Sequence, residues 1–501
     1  MSNIITVTSI IDAGKKYQYV DNGEPMRGGM KDVYFSPDRS YVVALFRNVQ
    51  DHNSKERLTK IVTKYYDSFF NREGGSYYKE LYSWPTDVVK INDKTGIIVP
   101  TYNSKFFFQK GYATSDLIKG EEKQGKWFAA PKFRHKDFAL RLDESELGNW
   151  LAYFQICVNI ARGVKRMHSA GLAHSDLSYK NVLVDPVTQS AAIIDIDGLV
   201  VPGLYPPDVI GTADFIAPEV LATKHLNIAD PNRKLPSRHT DLHALAVMIY
   251  MYLLYRHPLK GGKVHALEPE EDDLLSMGQK ALFIEHPTDL SNRPKTNQLN
   301  PKELPWADVT KLPYTVTGPY LSSLFNDAFI KGLHNPAQRP TADEWETALL
   351  KTTDLMQRCL NTTCRQKWYV FDNTYKPKCP FCGTPHQGSL PVLDLYYKFK
   401  DDVWKPEDHR LMVYHNQYLM PWHVNRNVVR NISLSAEDKK PVGYFSFHNG
   451  QWVLVNQKLT SLKDVTANKP IAIGEMLVLT NGQKVLLSNE QGGRLVLVTI
   501  V

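Results

Sequence analysis

Short runs in which apolar and polar residues alternate fill the first hundred positions of the chain. The runs KDVYF and YVVALF flank the turn SPDRS, and the runs TDVVKI and TGIIVPTY flank the turn NDK. Alternation with a period of two predicts strands, and turn residues between two such runs predict hairpins. Between the two pairs, SKERLTKIVTKYYDSFF has the spacing of an amphipathic helix. Residues 1–103 are therefore predicted to form a small antiparallel lobe around one helix.

Residues 104–355 are predicted to form a second, mainly helical region. Its first part, near 104–140, is lysine-rich and irregular, which is typical of a solvated insertion. From Asp143 onward, apolar residues at helical spacing predict a long helix that stops at Gly171. Further helices are predicted around 241–256, 318–333 and 341–358.

The longest apolar run, LHALAVMIYMYLL, is shorter than the roughly 18 to 20 residues that cross a bilayer, and it contains a histidine. We interpret it as a buried helix. The chain starts without a basic leader ahead of its short apolar run, so no signal peptide is predicted. These features favour a cytoplasmic protein with no membrane association.

Residues 391–501 consist of short alternating runs such as YFSFH, WVLVN, MLVLT, KVLLS and LVLVTIV, separated by turn sequences such as NG and SNEQGG. This pattern predicts an all-β sandwich. The fold class is thus a multidomain α+β chain whose last domain is a sandwich.

Composition adds two limits. The 501 residues are 43% hydrophobic and 23% charged, which is a globular balance, and the length suits two to four domains. The net charge of +7 suits anionic ligands such as nucleotides but does not by itself indicate nucleic-acid binding.

Four of the five cysteines fall between positions 359 and 382, in a C-x4-C pair and a C-x2-C pair with fourteen residues between them. This crowding favours a metal site over a disulfide framework and suits a reducing cytosol. The spacing predicts a zinc ribbon over residues 356–390, in which four thiolates leave no open position for catalysis. The aromatic residues between the pairs, without a dense basic stripe, argue against nucleic-acid binding. The predicted zinc ligands are Cys359, Cys364, Cys379 and Cys382.

The stretch AHSDLSYKNVLVD places Asp176 and Asn181 five positions apart, between a helix end and an apolar run. Phosphoryl transfer from Mg-ATP needs a carboxylate near the attacking hydroxyl, an amide oxygen on the metal, and a second acid on the same metal. Asp176 fits the first role and Asn181 the second. The run AAIIDIDGL then supplies Asp195 as a magnesium ligand. Taken singly, each of these residues is better interpreted as a cap, a turn residue or a solvated strand end.

Together, these segments resemble the protein kinases. HSDLSYKN corresponds to their H-R-D-L-x-x-x-N loop, DID to their D-F-G, and GTADFIAPE to the end of their activation segment. The resemblance covers roughly residues 20–350 and implies a two-lobed kinase fold that binds ATP with Mg²⁺ or Mn²⁺. It also implies that Asp241 braces the catalytic loop, and that Arg339 pairs with Glu219.

The nucleotide-covering part of the kinase pattern is eroded here. MRGGMKDVY keeps Gly28, Gly29 and Val33 of the glycine-rich loop, and Lys31 adds a charge that could face phosphates. The lysine of V-A-I-K is missing, and Arg47 stands near the expected place. Arginine there could replace that lysine or could be an exposed strand-end residue. Its carboxylate partner is equally open, because Glu56 and Asp67 are the only acids of the predicted helix.

The H-R-D-L-x-x-x-N loop departs from the kinase pattern in two places, and the D-F-G segment departs from it in a third. Ser175 replaces the arginine of H-R-D, so an activation-loop phosphate would lack its usual receiver. Ser178 stands where serine/threonine kinases carry a lysine, although Lys180 could reach the γ-phosphate instead. Asp197 stands where D-F-G has its glycine, and if the segment continues as a strand, Asp195 and Asp197 both face the metal.

From about Leu411, the segments RNISLS, GYFSFHNGQWVLVNQ and NKPIAIGEMLVLTNGQKVLL resemble a forkhead-associated domain, but the S-x-x-H phosphate-binding pair of that family is absent. We therefore interpret it as a protein-docking domain. The order of kinase, zinc ribbon and sandwich is similar to the kinase of the bacterial tellurite-resistance-associated phosphorylation triad. That resemblance implies a serine/threonine kinase with autophosphorylation, a von Willebrand A-domain substrate protein and an antagonistic 2C-type metal-dependent phosphatase. The alternative function is a pseudokinase scaffold that binds nucleotide and docks partners through the ribbon and the sandwich.

Overall fold

The computed structural model describes residues 3–27, 29–72, 74–201, 211–371, 374, 376–401 and 403–501. The chain divides into two compact units. The first comprises Met1–Gly148, Gln155–Pro313 and Ser323–Glu346, and the second comprises Asn149–Phe154, Tyr314–Ser322 and Thr347–Val501.

The first unit begins with seven strands: β1 (Asn3–Ser9), β2 (Lys16–Asp21), β3 (Met26–Arg27), β4 (Lys31–Phe35), β5 (Tyr41–Phe46), β6 (Asp87–Ile91) and β7 (Lys94–Pro100). They form one antiparallel sheet in the order β2-β1-β6-β7-β5-β4-β3. The two predicted hairpins are confirmed, since β4 pairs with β5 and β6 pairs with β7. Strands β1 and β2 widen the sheet beyond these hairpins.

The predicted helix of this lobe is confirmed as α1 (His52–Lys60) and α2 (Tyr66–Phe70), joined by a π-helical turn at Ile61–Tyr65. The side chain of Asp51 caps α1 by accepting a hydrogen bond from the Ser54 N–H (2.7 Å). A short helix, α3 (Gly75–Leu81), leads back to the sheet.

The helical part of the chain contains α4 (Trp150–Ser169), α5 (Pro218–Ala222), α6 (Arg238–Leu254), α7 (Pro269–Met277), α8 (Pro319–Asn326) and α9 (Ala342–Thr353). These confirm the predicted helices near 143–171, 241–256, 318–333 and 341–358. Helix α6 starts with a capping box between Ser237 and Thr240 and is buried over most of its length, as its apolar run predicted. None of the helices within the described ranges has the length and apolar character needed to span a membrane.

The prediction of a solvated insertion near 104–140 is wrong. The segment is irregular, but its aromatic side chains Phe106, Phe108 and Phe128 are buried. Lys123 is also buried, and its ammonium contacts Glu146 (2.9 Å) and Asp185 (2.8 Å). The lysine content predicted a solvated segment, since an unpaired lysine is rarely buried. The sequence does not show that Lys123 has two carboxylate partners, because both lie far from it along the chain.

A small hairpin of β8 (Val182–Asp185) and β9 (Ser190–Ile193) follows helix α4 and the loop that carries Asp176. All four residues of β8 are buried. The hairpin brings the region of Asp195 back towards the loop where β8 started, as the fourteen-residue spacing predicted.

Among its described residues, the second unit contains twelve strands: β10 (Met356–Arg358), β11 (Trp368–Val370), β12 (Pro391–Lys400), β13 (Val403–Met412), β14 (Tyr418–Leu419), β15 (Gly443–His448), β16 (Gln451–Asn456), β17 (Lys463–Asp464), β18 (Lys469–Pro470), β19 (Met476–Val478), β20 (Lys484–Leu486) and β21 (Arg494–Ile500). It also contains a one-turn helix, α10 (Pro421–Val424). Strands β10 and β11 form a hairpin of their own.

The other strands form a six-stranded sheet, β13-β12-β21-β20-β17-β18, and a four-stranded sheet, β14-β15-β16-β19. Alternate residues of both sheets, including Leu393, Phe445, Leu454 and Val498, belong to one buried hydrophobic cluster. The predicted all-β region is thus confirmed as two sheets with a common core. The segment RNISLS, at 430–435, lies in none of these strands.

Candidate active site and cysteine centre

The loop between α4 and β8 is held by a buried carboxylate. Asp241, near the start of α6, accepts hydrogen bonds from the backbone N–H groups of His174 (2.7 Å) and Ser175 (3.2 Å). His168 Nε2 lies 3.1 Å from the same carboxylate. Charge-assisted hydrogen bonds to a buried acid are strong, so Asp241 fixes the conformation of this loop. The predicted bracing role of Asp241 is confirmed.

Asp176 and Asn181 lie side by side in this loop. The side-chain nitrogen of Asn181 donates to Asp176 Oδ2 (3.0 Å) and to the Asp176 carbonyl oxygen (2.8 Å). Because the nitrogen makes both bonds, the amide oxygen of Asn181 is the atom left for a metal ion. The two residues that the sequence placed in one site are adjacent in space.

Thr212 fixes the other side of Asp176. Its backbone N–H (2.6 Å) and its hydroxyl (2.8 Å) both lie within hydrogen-bond distance of Asp176 Oδ1. Its hydroxyl also lies 3.2 Å from the hydroxyl of Ser178, which is fully buried. The segment GTADFIAPE predicts the end of an activation segment, but nothing in its sequence indicates this role for its threonine. Asp176 therefore has donors on both carboxylate oxygens, which hold it in one orientation.

Asp195 ends the hairpin in a left-handed backbone conformation, with φ at 63°, and a turn of 3-10 helix follows at Ile196–Gly198. The premise that the segment continues as a strand through Asp197 is therefore wrong. A short polar residue such as aspartate tolerates this conformation better than an apolar one, and it turns the chain sharply. Asp195 and Asp197 meet through the turn rather than through strand alternation.

Both acids contact the ammonium of Lys31. Lys31 Nζ lies 2.9 Å from Asp195 Oδ1 and 2.7 and 2.6 Å from the two oxygens of Asp197. The two acids differ in exposure, because the side chain of Asp195 is 46% exposed and that of Asp197 is 7% exposed. The site thus contains one open and one enclosed carboxylate, bridged by a single cation.

The charges of this cluster shift one another. Burial alone would lower the pKa of Lys31, but the carboxylates of Asp197 and Asp195 raise it above its ordinary value. Burial alone would raise the pKa of Asp195, but the Lys31 ammonium holds it below its ordinary value. Burial raises the pKa of Asp197, and the charge of Asp195 acts in the same direction, against Lys31. At neutral pH, Lys31 is charged and Asp195 is an available anion.

The remaining nucleotide-binding candidates have other contacts, and the Arg47 guanidinium lies 3.5 Å from the Lys31 carbonyl oxygen. Arg47 Nε lies 3.1 Å from Asp32 Oδ1, and the Arg47 side chain is 42% exposed. Val33 pairs with Ala44 across β4 and β5, Gly29 is exposed, and Gly28 lies outside the described residues.

Lys180 is exposed, and its backbone N–H donates to the Ser178 hydroxyl (3.3 Å). The structure thus brings together Asp176 with Asn181, and Lys31 with Asp195 and Asp197. It does not place the side chain of Arg47 or Lys180 in either group.

The four clustered cysteines converge in the second unit. Their sulfur atoms all lie within 4.8 Å of one another, with 3.5 Å between Cys359 and Cys382 and 3.9 Å between Cys364 and Cys379. Four thiolates about 2.3 Å from a common tetrahedral ion would lie about 3.8 Å apart. Gly383, directly after the last cysteine, has a positive φ of 74°, which a tight turn around a metal needs. The donor set fits zinc.

The cysteine centre packs on aromatic residues of the same unit. The ring of Phe381 lies 4.8 Å from that of Trp150. The backbone N–H of Trp150 donates to the Gln366 carbonyl oxygen (3.1 Å). Tyr369 is buried beside Cys364 and Cys379. The aromatic residues between the cysteine pairs thus serve packing, which agrees with the absence of a basic stripe in the sequence.

Part of the chain matches a known protein family. Residues 134–368 match the protein kinase domain. The chain therefore contains a protein kinase domain, and the match includes the Asp176 loop, Asp195 and the APE segment. Strands β1 to β7 precede the matched residues.

Individual relatives match over shorter lengths. The chain is 32% identical over 74 residues to a dual serine/threonine and tyrosine protein kinase of Apis mellifera, and 33% identical over 76 residues to that of Gallus gallus. Each match covers 15% of this chain and only 8% of the relative. A serine/threonine-protein kinase of Schizosaccharomyces pombe, ppk21, is 28% identical over 141 residues, which cover 25% of this chain and 24% of that protein.

Solved structures with a kinase fold also align with the chain. A rhoptry antigen kinase domain of Toxoplasma gondii aligns over 70% of this chain and 86% of its own, with 13% identity and a TM-score of 0.40. ROP2 of Toxoplasma gondii, described as a virulence factor with a protein-kinase fold and no enzymatic activity, aligns over 70% of this chain and 85% of its own. Its identity is 15% and its TM-score is 0.40.

Within the kinase domain, the end of the activation segment is fixed by a partly buried ion pair. Arg339 Nη1 and Nη2 lie 2.8 and 2.7 Å from the two carboxylate oxygens of Glu219. Arg339 also donates to the carbonyl oxygens of Gly332, Leu333 and His239. A bidentate pair with its remaining donors satisfied is strongly held. The predicted pairing of Arg339 with Glu219 is confirmed.

His257 links the same segment to the end of α6 and predicts a pH dependence of stability. Its Nε2 lies 2.9 Å from the Asp214 carbonyl oxygen, and its Nδ1 accepts the Leu259 N–H (3.1 Å). Burial lowers the pKa of His257 to about 4. Between pH 6.5 and 4 the unfolded chain binds a proton that the folded chain does not, so stability falls as pH falls, by up to about 1.4 kcal/mol per pH unit.

The prediction is checked by urea unfolding of wild type and His257→Gln at pH 7, 6, 5 and 4.5. We expect the variant to be less stable at pH 7, because it loses hydrogen bonds, and the difference in unfolding midpoint to narrow as the pH falls. A difference in unfolding midpoint that stays constant over this pH range would show that the pKa of His257 is the same in the folded and unfolded chain.

Proposed function

We propose that this chain is an ATP-dependent protein kinase that transfers the γ-phosphate to a serine or threonine hydroxyl of a partner protein and phosphorylates itself. The observation that carries the proposal is the Asp176 carboxylate, which Asn181 and Thr212 hold in one orientation in a loop braced by Asp241. A base that takes a proton from a hydroxyl must be held in a defined orientation, and these hydrogen bonds hold Asp176 in that way.

In the proposed reaction, the substrate hydroxyl oxygen attacks the γ-phosphorus while the bond to the β–γ bridging oxygen breaks. The hydroxyl proton passes to Asp176, and ADP leaves with the negative charge of the broken bond. Thr212 and Asn181 keep the accepting carboxylate in place during this transfer. Lys31, whose raised pKa keeps it charged, balances phosphate charge.

Asn181 and Asp195 are the residues that would hold Mg²⁺ or Mn²⁺. Asp195 has the exposed carboxylate, and Asn181 has the amide oxygen that its own hydrogen bonds leave available. Hard cations prefer such oxygen ligands. When bound, the ion neutralises charge on the β- and γ-phosphates.

The remaining candidates take supporting roles in this proposal. Gly29 would let the β3–β4 turn approach the phosphates, and Val33 would line the nucleotide site beside Ala44. Lys180, on the exposed side of the loop, would reach the γ-phosphate on substrate binding.

The test is transfer of labelled γ-phosphate from ATP by the full chain with Mg²⁺ or Mn²⁺, with the modified sites mapped by mass spectrometry. We expect Asp176→Asn and Asp195→Asn each to reduce incorporation at least about 100-fold, because each removes a group that acts in the transition state. Asp137→Asn, an exposed acid of the same domain, is the matched control and should retain wild-type incorporation.

Equal incorporation by all four proteins would refute the assigned roles. If the wild type incorporates nothing, but ADP or ATP raises its melting temperature, the pseudokinase scaffold is the correct function. The mapped residues decide between serine, threonine and tyrosine.

For the second unit we propose a zinc ribbon at Cys359, Cys364, Cys379 and Cys382 and a protein-docking sandwich that resembles a forkhead-associated domain. The module order supports membership in a cytoplasmic, bacterial phosphorylation system of the tellurite-resistance-associated type. In such a system the substrate would be a von Willebrand A-domain protein, and a 2C-type phosphatase would remove the phosphate. Co-purification of the full chain with such a protein, and loss of binding on deletion of residues 391–501, would support this assignment.

A further inference from the structure

Lys31 comes from a different strand than the kinase pattern leads one to expect. The V-A-L-F run on β5 puts Phe46 where V-A-I-K has its lysine, and Phe46 pairs in register with Lys31 on β4. The Lys31 ammonium lies 5.5 Å from the centre of the Phe46 ring. A lysine on the neighbouring strand therefore brings its charge to the place that the missing lysine would occupy.

The acidic partner of this lysine also has a different origin. In helix α1, Glu56 forms an exposed ion pair with Lys60 (2.8 Å), and in α2, Asp67 accepts from the side chain of Asn71 (2.8 Å). The carboxylates that contact Lys31 belong to Asp195 and Asp197. Helices α1 and α2 thus do not supply the carboxylates that contact Lys31.

Asp197 and Asp195 differ in exposure and in how they contact Lys31. Asp197 is enclosed and contacts the ammonium through both oxygens (2.6 and 2.7 Å), whereas Asp195 is half exposed and uses one oxygen (2.9 Å). An enclosed, two-point contact restrains a flexible side chain more than an exposed one-point contact does. Asp195 can therefore leave Lys31 and bind a metal ion while Asp197 still holds the lysine.

We propose that Asp197 is a positioning residue that anchors Lys31 for the nucleotide phosphates, and that it is not a metal ligand. This proposal rests on the proposed kinase function. The lysine anchor and the metal ligand then lie two residues apart in one turn, Ile196–Gly198 and the residue before it. The position of Lys31 depends on this turn and not on the position of α1.

The first test needs no nucleotide. Full-length wild type, Asp197→Asn, Asp195→Asn and Asp32→Asn are treated with an acetylating reagent, and the modification of Lys31 is followed by mass spectrometry. We expect Asp197→Asn to accelerate acetylation of Lys31 about tenfold and Asp195→Asn less than threefold. Asp32→Asn, an acid next to Lys31 that contacts Arg47, should match the wild type. Equal acceleration by the Asp195 and Asp197 variants would overturn the anchor role.

The second test is a double-mutant cycle on the affinity for ADP measured without a divalent ion. We expect Asp197→Asn to weaken ADP binding about tenfold in the wild type and not at all in Lys31→Met, because the acid acts through the lysine. Asp197→Glu should recover part of the loss. Equal weakening in both backgrounds would overturn the proposal.

Steady-state kinetics separates the anchor from a metal ligand. Asp197→Asn should raise the KM for ATP about tenfold and leave the Mg²⁺ concentration for half-maximal rate within twofold of the wild type. A shift in Mg²⁺ dependence as large as that of Asp195→Asn would identify Asp197 as a metal ligand instead. If the proposed kinase function is wrong, the wild type will bind ADP but transfer no phosphate. The acetylation and ADP-binding tests do not depend on phosphate transfer, so they would still decide the role of Asp197.

Discussion

Replacement of Lys31 by methionine is expected to lower kcat/KM for ATP by about 10²- to 10³-fold, whereas Arg47→Met should lower it no more than about threefold. Lys31 is enclosed beside Asp195 and Asp197, and removal of one fixed charge that faces the transferring group typically costs that much. Arg47 is paired with Asp32 near the surface, where ion pairs contribute little. The measurement is steady-state phosphate transfer at varied ATP, and both side chains are replaced by an uncharged chain of similar length.

The pair of variants also decides between the two positions that the sequence offered for the missing lysine. A large loss in Arg47→Met with a small loss in Lys31→Met would show that Arg47 rearranges to face the phosphates when nucleotide binds. Melting temperatures of both variants serve as the control, because a loss of activity with a large loss of stability would have a different origin.

Loss of the metal from the cysteine centre is expected to unfold the segment around Cys359–Cys382. Structural zinc contributes on the order of 10 kcal/mol to the folding of such segments, and this one is too short to bury a core of its own. We expect one zinc ion per chain in the purified protein, and none in Cys364→Ser. Limited proteolysis should cut the variant and the chelator-treated wild type between residues 359 and 382, and leave the untreated wild type intact there.

The matched control is Cys157→Ala, which changes the buried cysteine of α4 outside the cluster. It should keep the full zinc content and the resistance to proteolysis at residues 359–382. Purified wild type without any bound metal, but equally resistant to proteolysis, would contradict the proposed role of zinc.

The sequence predicted those parts of the site that depend on local order along the chain. Asp176 and Asn181 lie in one loop, so their spacing was enough to place them together. The hairpin β8–β9 returns the chain to this loop, where the Ile194 N–H donates to the Asn181 carbonyl oxygen (3.0 Å). The strands β4 and β5 followed from alternation and from the turn between them. Each of these features is set by residues that are near neighbours in sequence.

Contacts between distant segments could not be predicted in the same way. Lys31 reaches Asp197 across 166 positions, and nothing in the sequence of β4 indicates which carboxylate it meets. The burial of Lys123 depends on Glu146 and Asp185 in the same manner. The left-handed conformation of Asp195 depends on the tertiary setting, since aspartate also adopts extended conformations freely.

Strand β21 imposes an order on the synthesis of the protein. It lies inside the six-stranded sheet, hydrogen-bonded to β12 on one side and to β20 on the other, although it follows both of them in the sequence. Residues 494–500 must therefore be synthesised before β12 and β20 have a neighbour between them, and residues 134–368 are synthesised long before that point. Until then β12 and β20 each have an unpaired edge, and such edges are prone to pair with other chains.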